Sequence, residues 1–172
     1  MAVSGKGRMM YQYIKPKEYI RDVLISEIGD VVNQHSYLAF TLICSGIEFL
    51  GVCLDTNWHF HQPHASEHHF MLIIDTLFPE RYQPIKQQLY SQLRCGITHC
   101  ELSGHLRLIQ VGNVQNEPLL YEQYLTEKAP SGHTRAIIIE YLYFDFVQAC
   151  LAIMAKEFAP EDKMNVPMRT IG

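Results

Sequence analysis

The sequence predicts a mainly α-helical bundle in a single domain, residues 1–172, with a small antiparallel β-hairpin or sheet near residues 105–140. Three observations carry this reading. Apolar residues recur every three or four positions through several segments of the first hundred residues, which is the period of an amphipathic helix. From Leu102 the period changes, and β-branched residues alternate or run together. The chain of 172 residues, 48% hydrophobic and 19% charged, has the composition of an ordinary globular protein that can bury a sizeable core. That composition excludes a disordered or low-complexity chain.

Taken in order, residues 1 to about 15 read as a loose arm. Pro16 opens a helical pattern in which Ile20, Val23, Leu24 and Ile28 recur at three and four, with charged residues between them. Gly29 is the expected weak point or end. Asn33, His35 and Ser36 are cap residues for the next helix, Tyr37 to about Leu54, the most apolar in the chain. Asp55 to Ser66 is polar and holds Pro63, so it reads as a loop. A short helix starts at Ser66-Glu67 and ends at Phe78-Pro79. Pro84 fits a first helical position, and Ile85, Leu89, Leu93 and Ile97 then recur every four residues, with Gly96 near the expected end. Leu106 to Val111, with Gly112-Asn113 as a turn signal, and Arg135 to Glu140 are strand candidates, and Leu119 to Leu125 is a third. Tyr141 to Phe158 is helical, with Leu142, Phe146, Cys150 and Ile153 on one stripe. Pro160 ends it, and residues 160–172 read as a loose tail.

Charge and cysteine narrow the function. A net charge of -4 excludes the simplest electrostatic nucleic-acid binder but leaves room for a local basic cleft. Met1 to Met10 is short and polar and does not resemble a secretory signal. Cys44, Cys53 and Cys150 sit in apolar runs, where the thiol acts as a small hydrophobe. Cys95 and Cys100 are too far apart for CxxC. A reducing, cytoplasmic setting without a disulfide framework is expected. Tyr37 to Leu54 is the one membrane candidate. Glu48 inside it would be costly in lipid, so a buried helix of a bundle is the expected reading, with no membrane partner.

The stretch Leu89 to Cys100 (LYSQLRCGITHC) is the most informative. Arg94 and His99 stand five apart. On a straight α-helix their side chains would point about 140° apart, so one local site needs a break, such as Gly96, or a second copy of the chain. A histidine there can take a proton from a ribose hydroxyl or return one to a leaving oxygen. An arginine can hold a phosphate bidentately and stabilise charge developing on it. From spacing alone, the plainer alternative is an arginine favoured by a helix C-terminus and a loop histidine.

Arg94, then Cys95-Gly96-Ile97-Thr98, then His99, at the end of a helix, resembles the motif of the HEPN family of helical nucleotide-binding and ribonuclease domains. The order of elements is similar as well: an apolar helix with an internal carboxylate (SGIEFLG, Glu48), a variable loop, then the helix ending in LYSQLRCGITH. The whole pattern looks like an HEPN-like group found in bacteria. The resemblance covers residues 17–158 as architecture and Arg94 to His99 as motif. The family usually has a polar residue directly after the arginine. Here that position is Cys95, a departure that bears on RNA cleavage more than on the fold.

The resemblance implies a homodimer. Family members that cleave RNA do so without metal, with the arginine and histidine of both chains around one cleft. It therefore implies Arg94 as phosphate clamp and His99 as general acid/base, with no cofactor and no metal. Glu48 joins them on separate grounds: a buried carboxylate in an apolar helix needs a partner. Arg94 is one candidate, and solvent or a backbone donor is the other. The expected function is an HEPN-type, metal-independent endoribonuclease acting on RNA as a homodimer. The alternative is a non-catalytic dimeric module that binds a nucleotide or a protein.

Five of the nine histidines fall between His59 and His69. Imidazole suits zinc, nickel or copper. The segment lacks HExxH, and Glu67 is the one evident nearby carboxylate. It reads as an exposed His-rich stretch in or beside a surface loop, with a metal-responsive role as the lesser alternative. No Gly-rich phosphate loop and no GxSxG is present, and the run YLYFDF reads as core plus an amphipathic face rather than a base-stacking platform.

Overall fold

The apolar stripes of the sequence do become helices, and these make up most of the described residues. A computed structural model describes residues 11–56, 65–96, 106–110, 135–157 and 166–169. Strand β1 is Tyr11–Ile14. Helix α1 spans 16–34 and changes winding twice: an α turn at Pro16–Tyr19, a π-helical stretch at Ile20–Glu27, and an α segment at Ile28–Gln34. Pro16 sits where its missing N–H costs nothing, and the Lys15 N–H donates to the Glu18 carboxylate at 3.2 Å. The helix runs through Gly29 rather than ending there. A Cβ on Gly29 would lie 2.5 Å from the Tyr143 hydroxyl, which donates to the Ile25 carbonyl. Gly29 is thus a point of close helix approach.

His35, at φ -142° and ψ 73°, separates α1 from α2, Ser36–Leu54. No side chain at the His35 cap position bonds the first turn, and Asn33 donates its amide to the Gly29 carbonyl instead. Helix α3 is Ser66–Leu77, within the bounds expected from its Ser-Glu start and Phe-Pro stop. Helix α4 spans 80–96, with 3-10 winding at Glu80–Ile85, a short α stretch at Lys86–Gln88 and π winding at Leu89–Gly96. Pro84 lies inside its 3-10 part and not at a first helical position, because the helix starts from Pro79, whose carbonyl accepts the Tyr82 N–H at 3.0 Å.

Strands β2, Leu106–Ile109, and β3, Arg135–Ile138, follow, and α5 is Ile139–Met154. Strand β4 is Val166–Arg169. The hairpin expected here is corrected: β2 and β3 pair in parallel, with Leu106 opposite Arg135 and Ile109 opposite Ile138. A tight turn can only reverse the chain, whereas a parallel pair needs a crossover of about a dozen residues or more. Residues 110–134 provide that length. The Gly112-Asn113 turn and the strand candidate Leu119 to Leu125 lie outside the described residues. β3 stops at Ile138 instead of Glu140, since Ile139, Leu142, Phe146, Cys150 and Ile153 all bury as one helical stripe. Residues 11–14 and 166–169, inside the two ends expected to be loose, pair as an antiparallel β1–β4 ribbon.

Helix α2 is the hub and packs against α1, α3, α4 and α5. Its segment Tyr37–Leu54 has a mean hydropathy of 1.9 and is long and apolar enough to cross a membrane, but half of it is buried inside this protein. Phe40, Ile43, Cys44, Ile47 and Leu50 enter a core shared with Leu24, Phe70, Ile73, Leu89 and Phe146. Gly46 admits the Phe146 ring, whose tip would be 2.5 Å from a Cβ at that position.

Two outcomes are expected. Phe146→Ala removes a fully buried ring and should lower unfolding free energy by about 3–5 kcal/mol in a denaturant titration. Cys44, Cys53 and Cys150 are buried thiols, and burial pushes Cys150 far above the usual thiol range. Thiolate is the reactive form. None of the three should therefore react with an aromatic disulfide reagent at pH 8 until denaturant is added.

Candidate functional site

Of the three expected site residues, the structure describes Glu48 in full and Arg94 in its backbone. Arg94 lies on the last π-wound stretch of α4, Leu89–Gly96; its side chain is outside the described residues, and so is the whole of His99. The start of that stretch is anchored by the buried Leu89 and by Tyr90, whose ring centroid is 5.4 Å from that of Phe70. The same stretch packs on α2. Glu48 lies on α2, is half-buried, and its Oε2 accepts a hydrogen bond from the Ser66 hydroxyl at 2.8 Å. Glu48 and the Arg94 backbone therefore belong to two helices in direct contact.

The structure also assembles a group that sequence reasoning did not put together. Asp55, just beyond the end of α2, meets His68 and His69 on the first turn of α3. Asp55 Oδ2 is 3.3 Å from His68 Nε2 and 3.6 Å from His69 Nε2. One donor atom from each of the three residues lies within 4.8 Å of the others. Burial grades across the group: His69 is 3% exposed, the Asp55 side chain 12% and the His68 side chain 63%. Thus His69 is a core residue and not part of an exposed stretch. His59, His61 and His64 lie outside the described residues.

A glycine explains why this corner can form. The Asp55 N–H donates to the Gly51 carbonyl at 2.9 Å, and the His69 N–H donates to that of Ala65 at 2.9 Å. A Cβ on Gly51 would stand 2.2 Å from the His69 carbonyl oxygen and 2.6 Å from its carbonyl carbon. Only a bare Cα lets α2 approach the α3 backbone at this point. The same contact turns His69 inward and sets Asp55 beside it.

A second polar group is fully structural in character. Asp145, 4% exposed in the middle of the apolar α5, accepts hydrogen bonds from Arg81 and, at 2.7 Å, from the Tyr82 hydroxyl. These bonds tie the start of α4 to α5. The signal available in sequence was the one that drew attention to Glu48: a lone acid within an apolar helix. For the His–Asp group the signal was Asp55, closing α2 just before the histidines.

Between α1 and α2 lies a largely apolar cavity of about 170 Å³, lined in part by Tyr19, Leu24, Glu27, Ile28, Ser45 and Phe49. Burial, and to a lesser degree Glu27, pushes the Tyr19 phenol above its usual range. The π-wound part of α1 forms one wall of this cavity.

No protein-family model, no curated protein and no solved structure matches this chain.

Two substitutions test the geometry. Gly51→Ala drives a methyl into backbone that cannot rotate away, and should cost about 1–3 kcal/mol or more, read as a lowered Tm. Arg81→Met leaves the buried Asp145 with Tyr82 and without its cation. Because Arg81 is itself 37% exposed, the expected loss is moderate, about 1–3 kcal/mol in a denaturant titration.

Proposed function

We propose that this protein is an HEPN-like, metal-independent endoribonuclease that acts as a homodimer, with Arg94 and His99 of both chains around one cleft. The observation that supports this best is the winding of Leu89–Gly96. A helix closed by i→i+5 bonds sets residues five positions apart nearly above one another, and such turns recur at functional sites. Five is the separation of Arg94 and His99. The described winding reaches Arg94 and stops at Gly96; continued to His99, it would bring the two side chains closer in angle than an α-helix does. The mainly helical architecture and the contact between the Glu48 helix and the Arg94 helix agree with the reading.

In this mechanism His99 takes the proton from a ribose 2′-hydroxyl as that oxygen attacks the adjacent phosphorus. A second histidine, from the partner chain, protonates the departing 5′-oxygen. Arg94 holds the non-bridging phosphate oxygens and offsets the charge that grows on them. Two arginines at one cleft would also provide the local positive field that a chain of net charge -4 otherwise lacks. Glu48 acts as a positioning carboxylate at the helix contact rather than as a group that touches RNA.

The test is cleavage of a mixed RNA panel in the presence of a chelator, with the oligomeric state measured by sedimentation. The wild type should cleave as a dimer, and His99→Ala and Arg94→Ala should each lose about a hundredfold or more. Equal cleavage by wild type and His99→Ala, or none by the wild type, rejects the ribonuclease. RNA or nucleotide binding without cleavage would establish the non-catalytic module in its place.

A further inference from the structure

We propose that Asp55, His68 and His69 form a binding site for one divalent transition-metal ion, with zinc the best chemical match. The proposal rests on these three residues and does not depend on the ribonuclease reading.

Donor chemistry comes first. Two imidazole nitrogens and one carboxylate oxygen make a set that suits zinc and its first-row neighbours. Magnesium and calcium prefer oxygen donors throughout and fit it poorly. Three protein ligands on zinc leave a fourth position for water.

Geometry comes second. Zinc bonds of roughly 2.0–2.1 Å in a tetrahedron place donor atoms roughly 3.3–3.4 Å apart. The two carboxylate–imidazole separations, 3.3 and 3.6 Å, are already close to that. All three donor atoms fall within 4.8 Å of one another. The remaining closure is therefore small, and the exposed His68 can make it by side-chain rotation, since it stands largely in solvent.

Preorganisation comes third. His69 is held in the core, the Asp55 main chain is tied to the Gly51 carbonyl, and its side chain is 12% exposed. The Gly51–His69 backbone approach sets the two against each other. Two of the three ligands are thus in place before the ion arrives, which reduces the entropy lost on binding. The open His68 side supplies the route of entry. Bound there, the ion would clip the end of α2 to the first turn of α3 and raise the stability of the folded state by mass action.

Isothermal titration of the tag-free chain with zinc tests this, supported by the visible absorption of a cobalt-loaded sample. The expected result is one ion per chain, a higher Tm with zinc, and binding weakened by about tenfold or more in Asp55→Asn and in His68→Ala. His68 is exposed, so His68→Ala should leave the fold intact even where Asp55→Asn does not. A triple variant, His59→Ala with His61→Ala and His64→Ala, should retain the affinity. The proposal is overturned if no stoichiometric binding occurs. It is equally overturned if His68→Ala binds as tightly as the wild type, or if the triple variant abolishes binding.

Discussion

Everything in this structure depends on covering helix α2. Its eighteen-residue segment Tyr37–Leu54 is too apolar to lie on a surface, and the other four described helices pack around it. The constraint sets local details. Gly46 is bare so that the Phe146 ring of α5 can lie close, and Gly51 is bare so that the α3 backbone can do the same. Burial on this scale outweighs the cost of the π and 3-10 winding in α1 and α4.

The polar chemistry is placed by the same packing. Two acids inside apolar helices are met by donors from a different element: Glu48 by Ser66, Asp145 by Arg81 and Tyr82. A buried polar group without a partner costs more than one bond returns, so these contacts fix which helix faces which. Asp55, at the rim, is different. It meets two imidazoles, at a point where the core opens to solvent. A rigid inner side and an accessible outer side are what a small ion requires.

How far the chain could be read from its residues follows from the range of the forces involved. Helices α2 and α3 were legible almost to the residue, because their period and their Pro, Ser and Asp boundaries are local. The end of β3 was not, since Ile139 belongs to both a β-branched run and the buried stripe of α5, and only the core decides between them. The parallel pairing of β2 and β3 was illegible for a different reason. Leu106–Ile109 and Arg135–Ile138 carry no mark of direction, which is set by the path of the intervening chain. Asp145 looked like part of an amphipathic face because Arg81 and Tyr82 stand far from it in sequence. Arg94 and His99 stand out by motif alone; the π winding of Leu89–Gly96 reaches Arg94, while His99 lies outside the described residues. In sequence, Asp55 reads as the first residue of a loop. Its meaning comes from the Gly51–His69 approach, which no local pattern announces.

The β1–β4 ribbon, with Tyr11 opposite Arg169, has a bearing on the order in which this molecule assembles. Closing it gathers nearly the whole chain into one loop, and the entropy of such a closure must be met before the ribbon returns any bonding energy. A four-residue pair cannot meet that cost alone. It can form only on a bundle that has already brought the two ends together, and it can open again without disturbing the bundle. The ribbon is therefore the last part of the molecule to fold and the first to fray, a latch on a structure whose stability lies elsewhere.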